Sequence, residues 1–529
     1  MNPDVIVIGS GFGGAITACR LAEKGYKVLI LERGRRWDKT TYPSKNEDPD
    51  VWLWSHDHPE RTNGWLDLRI FPDMSVIQGA GVGGGSLIYA SVSVEAPPKI
   101  FAAGWPQEIT YGELKPYYDA VKTFLNVQQL PRNQWNPRTH LMRDAADKIG
   151  AGDRFKLVDI AVSFDPNLVY DPEHPPAEQD SKQFTNAQGV QQGTCVHTGL
   201  CDVGCPVNAK NTLDLNYIPW AEKHGAEVRP LHLVTNIEAV NGGYRVSFDR
   251  LENDKRIGGS ETARIVIVAA GSLGSTELLL RCKELNGSLP NISRFLGRNW
   301  SSNGDFLTPA VYTDRRPTPA AGPTISSAID FLDGSDKGQT YWIEDGGFPH
   351  FLGSFYSSGV ARAIKALEPE KLIQEINDFL RRNDPTDHVM PWFAQGVDAG
   401  NGVFSLKRPW WFFGPRRFHL SWDVTKSLPV FNAIWDMHKR LSRETGGTPL
   451  SSPAWILSRD LITPHPLGGC NIGDSPATGV VDHKGEVFGY KNLYVADGAI
   501  VPTPLGVNPS RTIGALAERI AHIIVVEGR

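Results

Sequence analysis

The N-terminal segment constrains the fold of this chain more strictly than any other part of the sequence. Val5–Ile8 is an apolar, β-branched run typical of a buried strand, and Gly9, Gly11 and Gly14 follow it in the pattern G-x-G-x-x-G. Glycine permits a tight turn after a strand and lets the backbone approach a pyrophosphate closely. The pattern therefore predicts the first turn of a Rossmann-type nucleotide-binding fold.

The residues after this turn complete the unit that such a motif requires. Residues 15–24 have helical spacing, and 27–31 form a second apolar run that ends beside Glu32. A helix that begins at the glycines would direct its positive N-terminal end at phosphates, and Glu32 would accept hydroxyl groups of a ribose. The segment predicts a dinucleotide site and leaves NAD(P) and FAD as alternatives.

The composition indicates an ordinary globular protein without a nucleic-acid partner. The chain has 529 residues, 40% of them hydrophobic, and a formal net charge of −5 at pH 7. This length allows two or three domains, and the charge balance provides no basic surface for nucleic acid. No secretory leader and no apolar run of about 18 residues precede the first strand. We expect a cytoplasmic protein.

Three motifs near the C-terminus occur in a fixed order, at 463–470 (TPHPLGGC), 492–498 (NLYVADG) and 504–509 (PLGVNP), and a second glycine-rich stretch lies at 78–86 (QGAGVGGGS). With the N-terminal turn, these motifs resemble the glucose–methanol–choline (GMC) oxidoreductases. Within that family the chain is most similar to bacterial cholesterol oxidases that hold FAD without a covalent bond. The resemblance covers the chain from end to end and favours FAD over NAD(P).

The resemblance and the turn together predict an α/β fold in two domains. A Rossmann-type FAD-binding domain would be built from the discontinuous segments 1–100, 196–310 and 456–529. An inserted α+β substrate-binding domain on an antiparallel sheet would comprise 101–195 and 311–455. Strand patterns at 265–268 and 493–495 support a nucleotide-binding sheet that the chain leaves and re-enters.

The expected cofactor-binding residues are Gly9, Gly11, Phe12, Gly13, Gly14, Glu32, Gly84, Gly85, Ser86, Tyr89, Ala90, Val92, Val234, Ala270, Gly271, Asp497, Gly498, Asn508 and Ser510. The family pattern implies that the Val234 backbone meets adenine and that Asp497 binds a ribityl hydroxyl. Tyr89, Ala90 and Val92 replace the Asn, Gly and Met usual in cholesterol oxidases, so only backbone contacts would be kept there. A helix that begins near Ser510 would stabilise negative charge on reduced flavin.

His465 and Asn508 form the predicted catalytic pair. Alcohol oxidation needs a base for the hydroxyl proton, and an imidazole suits that task near neutral pH. Asn508 would hold the substrate oxygen. One of 14 histidines would ordinarily be structural, but the family motif around His465 favours catalysis.

Cholesterol oxidases also place a glutamate over the substrate, and here its position falls near Gly353, so a steroid substrate is in doubt. Glu344 and Asp345 are nearby acids, for which a strand-end turn is the preferred interpretation.

Cys195, Cys201 and Cys205 have a spacing similar to the iron–sulfur segment of bacterial FAD-dependent glucose dehydrogenases. The preferred interpretation is free buried thiols, and the alternative is an iron–sulfur cluster that passes electrons to a carrier.

Two apolar features of the inserted region have alternative interpretations. The aromatic group formed by Trp392, Phe393 and Trp410 to Phe413, with Tyr341 and Trp342, indicates core packing or, less simply, an apolar substrate pocket. The amphipathic stretch at 357–382 indicates a helix that faces a core, closes as a lid or docks peripherally on a membrane.

The function predicted from these features is oxidation of an alcohol by hydride transfer to FAD. The substrate would be a bulky apolar, sterol-like or terpenoid alcohol, and O2 or another acceptor would take the electrons. One alternative is a dehydrogenase of sugars or other polar alcohols with an iron–sulfur cluster. Another is a flavoprotein lyase without redox turnover.

Overall fold

The structure is a computed structural model that describes residues 3–42, 52–72, 74–349, 385–408, 414, 416–450 and 461–527. Three predictions lie wholly or partly outside these residues: the helix at 357–382, the glutamate position near Gly353 and the 410–413 part of the aromatic group. The lid, membrane and pocket interpretations of those segments therefore stay predictions.

The described residues contain seven α-helices: α1 (Phe12–Glu23), α2 (Tyr111–Phe124), α3 (Pro137–Lys148), α4 (Tyr217–Lys223), α5 (Gly271–Glu284), α6 (Leu428–Glu444) and α7 (Ser510–Glu527). The strands are β1 (Val5–Ile8), β2 (Val28–Leu31), β3 (Leu66–Phe71), β4 (Met74–Gly79), β5 (Phe155–Leu157), β6 (Phe184–Thr185), β7 (Gln191–Gln192), β8 (Glu227–Arg229), β9 (His232–Val240), β10 (Gly243–Glu252), β11 (Lys255–Ala263), β12 (Ile265–Val268), β13 (Phe306–Tyr312), β14 (Ser327–Asp336), β15 (Gln339–Asp345), β16 (Val389–Gly396), β17 (Val403–Lys407), β18 (Arg417–Ser421), β19 (Gly447–Pro449), β20 (Leu461–Thr463) and β21 (Leu493–Val495).

A five-stranded parallel sheet with the order β21-β12-β1-β2-β8 forms the centre of the nucleotide-binding part. Every residue of β1, β2, β12 and β21 is buried, because helices and loops cover both faces of a parallel sheet. Its strands come from the beginning, middle and end of the chain. The discontinuous Rossmann-type fold predicted from the sequence is confirmed.

Helices α1 and α7 pack side by side on this sheet and are joined by an ion pair, with Arg20 Nε 2.7 Å from Glu518 Oε2. Helix α2 packs on α7, where Tyr118 Oη lies 2.8 Å from Thr512 Oγ1. The sequence division assigned 101–195 as a whole to the substrate-binding domain, and α2 contradicts that assignment. Its apolar face is buried against the nucleotide-binding part.

A second, six-stranded sheet carries the inserted domain, with the strand order β19-β13-β16-β15-β14-β5 and antiparallel pairing throughout. Helix α6 packs on it, and His438 Nδ1 lies 2.9 Å from Thr308 Oγ1. The predicted domain boundary between residues 310 and 311 is wrong, since it cuts strand β13 (Phe306–Tyr312). All of β13 pairs within the antiparallel sheet.

A third, small sheet has the strand order β20-β4-β3. Strand β4 pairs with β3 in antiparallel and with β20 in parallel orientation. Strand β20 ends two residues before His465, so this sheet leads directly to the predicted catalytic residue. Among the described helices, none has both the length and the hydropathy required to cross a bilayer.

Gly14→Ala should destabilise the fold strongly, because a Cβ atom at position 14 would lie 2.0 Å from the backbone oxygen of Gly9. Overpacking of this kind costs about 3 kcal/mol when backbone must move. Thermal unfolding of the variant measures the loss. Gly112→Ala in helix α2 is the control, since its nearest neighbour, Thr110 Oγ1, is 3.9 Å away. It should unfold no earlier than wild type; equal unfolding temperatures for both variants would contradict the prediction.

Candidate active site

The turn after β1 is built so tightly that two of its positions admit only glycine. A Cβ at Gly9 would lie 2.4 Å from the Ala269 oxygen, and one at Gly13 would lie 1.9 Å from the Ala496 oxygen. Gly9 also has a φ of +95°, a conformation that glycine adopts most readily. The backbone after β12 and β21 is thus pressed against the turn, and the carboxyl ends of three parallel strands meet there.

The second glycine stretch touches the first. A Cβ at Gly84 would lie 2.6 Å from the Gly11 Cα atom. Ser10 connects the two loops, because its hydroxyl donates to Glu32 Oε2 at 2.7 Å and accepts from the Gly83 backbone N–H at 3.1 Å. The two loops therefore form one continuous backbone surface of the kind that binds phosphates.

Glu32 directly follows β2, and most of the acceptor positions of its carboxylate are occupied. It accepts hydrogen bonds from the Ser10 backbone N–H at 3.0 Å and from the Gly34 N–H at 2.9 Å. Glu32 is 95% buried, but it still lines the cavity described next. A carboxylate has about four acceptor positions, so acceptor capacity is left for a ribose hydroxyl.

A cavity of about 980 Å³ runs from Glu32 past the glycine loops to His465 and Asn508. The predicted cofactor residues that line it are Gly9, Gly11, Phe12, Gly13, Glu32, Gly84, Gly85, Tyr89, Ala90, Val92, Val234, Ala270, Gly271, Asp497, Gly498, Asn508 and Ser510. Gly14 and Ser86 do not line it. Gly14 packs beneath Gly9, and the Ser86 hydroxyl donates to the Gly83 oxygen and accepts from the Leu213 N–H. These two residues shape the loops from behind.

Asp497 is held where the loop after β21 meets α5. Its carboxylate accepts from Ser275 Oγ at 2.5 Å, from the Gly271 N–H at 2.8 Å and from the Ala499 N–H at 2.8 Å. Burial raises the pKa of Asp497 to about 6, and the three donors oppose that shift. The carboxylate fixes the N-terminus of α5 as well as facing the cavity.

Helix α7 begins at the end of the cavity that is lined by the predicted catalytic pair, His465 and Asn508; this end is called the catalytic end below. Ser510, its first residue, lines the cavity, and its hydroxyl donates to the Val92 oxygen at 2.8 Å. The free N–H groups of the first turn of a helix favour negative charge nearby. The N-terminus of α7 lies beside the cavity, where the sequence predicted it.

His465 lines the cavity, and the Nδ1 edge of its ring is hydrogen-bonded to a carboxylate behind the cavity wall. Its Nδ1 lies 2.8 Å from Oδ1 of Asp305, which is fully buried, and its backbone N–H donates to Thr463 Oγ1 at 2.9 Å. Thr463 Oγ1 is in turn 2.5 Å from Asp305 Oδ2. Burial raises the pKa of Asp305, while His465 and Thr463 lower it. A proton on Nδ1 bound to this carboxylate leaves the Nε2 lone pair free for a substrate.

Asn508 is the cavity-facing end of a buried polar chain. Its Nδ2 donates to Glu344 Oε2 at 3.4 Å, Gln395 Nε2 donates to the same oxygen at 3.0 Å, and Trp342 Nε1 donates to Gln395 Oε1 at 2.5 Å. Within the described residues, Asn508 Oδ1 and Glu344 Oε1 are buried without a partner. Burial raises the pKa of Glu344 to about 8, so this carboxyl is mostly protonated at neutral pH.

The preferred interpretation of Glu344 and Asp345 as a strand-end turn is wrong. Both lie in β15, fully buried, and point to opposite faces of the sheet. Asp345 accepts from the backbone N–H groups of Ser326 and Ser327 at 2.7 and 2.8 Å, away from the cavity. Glu344 faces Asn508 but does not itself line the cavity. Two acids directly after the apolar run 341–343 (YWI) are the signal that could have indicated a buried site.

Sequence reasoning also missed Asp305, because it lies 160 residues before His465. Apolar residues supply much of the cavity wall, and they include Leu307, Ile325, Phe348, Pro391, Phe393, Ile462 and Pro464. The Phe393 and His465 rings have centroids 6.1 Å apart. Such a wall favours an apolar substrate.

The cysteine motif does not assemble a metal centre. Cys195 and Cys201 are buried and Cys205 is half-buried, and all three are free thiols. Burial raises the pKa of the Cys195 and Cys201 thiols, which opposes the thiolate form that an iron–sulfur cluster needs. No cluster of three or more His, Cys, Asp or Glu residues able to hold a metal occurs in the described part of the chain. The iron–sulfur alternative has no support.

Comparison with known proteins assigns the family. A GMC oxidoreductase family model matches residues 445–517, and an NAD(P)-binding Rossmann-like domain model matches 7–57. The chain is 33% identical to a cholesterol oxidase of Acinetobacter baumannii, over 98% of this chain and 94% of that protein. The chain belongs to the GMC oxidoreductase family.

Other relatives agree with this assignment. A cholesterol oxidase of Mycobacterium tuberculosis is 31% identical over 99% of this chain and 91% of its own length. Among solved structures, pyridoxine 4-oxidase from Mesorbium loti shares the fold, with a TM-score of 0.62, 16% identity and 99% of both chains covered. The chain is therefore an FAD-dependent oxidoreductase that acts on alcohols.

The residues present fit FAD. The touching glycine loops present bare backbone to the cavity, and Glu32 and the first residue of α7 also line it. The unpartnered buried Asn508 Oδ1 marks the catalytic end as a place where a further polar group is required. The cavity-lining residues named above are the ones that would hold the cofactor.

Glu344→Gln should remove a pH-dependent loss of stability. The folded state binds the Glu344 proton with a pKa of about 8, whereas a free glutamate titrates near pH 4.3. The stability of the wild type should therefore fall as pH rises from about 5 to about 8 and level off above that range.

Thermal unfolding of wild type and Glu344→Gln at several pH values in this range measures the effect. The difference in unfolding temperature should widen in favour of the variant as pH rises. Glu238→Gln, on a half-exposed side chain paired with Arg245, is the control and should follow wild type. A constant difference between wild type and Glu344→Gln would contradict the prediction.

Proposed function

We propose that this enzyme oxidises a secondary or primary alcohol on a bulky apolar skeleton, with His465 as the proton acceptor. The observation that carries the proposal is the tie between His465 Nδ1 and Asp305 in a cavity whose catalytic end is walled by apolar side chains. A base fixed in orientation suits removal of a hydroxyl proton. An apolar wall suits a sterol-like or terpenoid alcohol better than a sugar. The cholesterol oxidase names of the relatives support the same substrate class.

The roles of the chain's own residues follow from their contacts. His465 receives the substrate hydroxyl proton at Nε2, and the Asp305 carboxylate stabilises the positive charge that the ring then carries. Asn508 holds the substrate oxygen with the amide N–H that Glu344 does not use. Glu344 acts through Asn508, as a positioning residue. FAD, bound without a covalent link, supplies the hydride acceptor, and O2 or another acceptor then takes the electrons.

His465→Ala should leave flavin bound but slow the anaerobic bleaching of the flavin by substrate about 100-fold, the scale expected for a general base. Stopped-flow absorbance with a panel of sterols, terpenoid alcohols and sugars measures the rate and identifies the substrate class. His174→Ala, on an 86% exposed side chain, is the matched control. Bleaching of His465→Ala at the wild-type rate would refute the assignment, and preference for sugars would refute the substrate class.

Asp305→Asn should lower the rate of flavin reduction by at least about tenfold, because the charge that supports the protonated ring is removed. The substrate concentration at half-maximal rate should stay unchanged, since Asp305 does not line the cavity. Stopped-flow reduction at several substrate concentrations separates the two quantities. A rise in that concentration with an unchanged limiting rate would show instead that Asp305 only shapes the binding site.

A further inference from the structure

Arg33 follows Glu32 directly and lines the same end of the cavity. Its guanidinium carbon lies 4.2 Å from the centre of the Trp54 ring, so Trp54 covers one face of the group. The side chain remains 22% exposed, and both Arg33 and Trp54 line the cavity. A planar cation stacked on one side and open to a cavity on the other can stack a second aromatic ring.

Asp67 fixes this arrangement from behind the wall. It is fully buried and does not line the cavity, and it accepts hydrogen bonds from three side chains that do. Arg33 Nη2 lies 2.7 Å from Oδ2, His56 Nε2 lies 2.6 Å from Oδ1, and Gln78 Nε2 lies 3.2 Å from Oδ2. Burial would raise the pKa of Asp67, but Arg33, His56 and Arg69 outweigh it and lower the pKa below its usual range. The carboxylate therefore stays charged and holds the guanidinium plane in place.

At the end of the cavity next to Glu32 and Arg33, another part of the wall comes from β9. The His232 backbone N–H donates to the backbone carbonyl oxygen of Glu32 at 2.8 Å, which keeps β9 beside the end of β2. Leu233, Val234 and Thr235 follow and line the cavity. A base attached to a ribose at Glu32 must lie next to Glu32, and the space available is bounded by Arg33 and this stretch of β9.

We propose that Arg33, backed by Trp54 and oriented by Asp67, is the platform on which the adenine ring of FAD stacks. The proposal rests on the FAD-dependent function above and adds the residues that select the adenosine half of the cofactor. Stacking on a planar guanidinium needs its shape as well as its charge. Lysine at this position would keep a cation for Asp67 and lose the platform.

Arg36 shows what an arginine without this role looks like. It forms an ion pair with Glu222 at 2.6 Å, but its side chain is 40% exposed and it does not line the cavity. Arg36→Met is therefore a matched control for Arg33→Met. Both variants remove an arginine and its ion pair, three residues apart in the same segment.

The test is the affinity of the purified holoenzyme for FAD, measured by flavin fluorescence on dilution and on titration with FAD. The second probe is ADP, which lacks the flavin, as a competitor of FAD rebinding. Arg33→Met should raise the dissociation constant of FAD and the inhibition constant of ADP by the same factor, about tenfold. Arg33→Lys should raise both by a smaller factor, and Arg36→Met should leave both unchanged.

A third readout separates a platform from a structural ion pair. At saturating FAD, the free energy of unfolding of Arg33→Lys should fall below that of wild type by no more than RT times the logarithm of the ratio of their dissociation constants for FAD, because the pair with Asp67 is kept. Wild-type affinity for FAD and ADP in Arg33→Met and Arg33→Lys would overturn the proposal while leaving the enzyme's function intact. A wild-type protein that holds no FAD at all would overturn both.

Discussion

The site depends on backbone-to-backbone contact at the glycine turn after β1. Gly9 and Gly13 lie so close to the chain after β12 and β21 that a single added carbon at either position would overlap a carbonyl oxygen. This contact brings together pieces of sequence from the beginning, middle and end of the chain. It also leaves peptide N–H groups, rather than side chains, as the surface offered to the pyrophosphate. Most of the predicted cofactor residues line a single cavity because of this packing.

The catalytic end is organised in a different way, by buried carboxyl groups that face the cavity through another residue. Asp305 is hydrogen-bonded to His465, and Glu344 is hydrogen-bonded to Asn508. Burial of an acid is costly, and each of the two is compensated by donors that fix its position. At the adenosine end Asp67 has the same relation to Arg33. In all three places a buried carboxyl group behind the cavity wall orients a side chain on the wall.

Sequence patterns predicted the nucleotide-binding half well and the inserted half less well, for a physical reason. The Rossmann unit is local: strand, turn, helix and Glu32 lie within the first 32 residues, and each has its own signal in the sequence. Glu344 reaches Asn508 across 164 positions, through the pairing of β15 with β16, and no local pattern reports such a contact. The range that holds helix α2 was assigned to the wrong domain, since an amphipathic helix face indicates burial and not the surface that buries it.

Strand β15 carries two adjacent acids that serve different parts of the molecule. Alternation along a strand sends Glu344 towards Asn508 and Asp345 towards the backbone of Ser326 and Ser327. A slip of one residue in the pairing with β16 would exchange them: the shorter acid would face the amide, and the longer one would enter a pocket shaped for aspartate. The register of β15 therefore matters in two places. A shift of one residue would disturb both the contact of Glu344 with Asn508 and the hydrogen bonds of Asp345 to the backbone of Ser326 and Ser327.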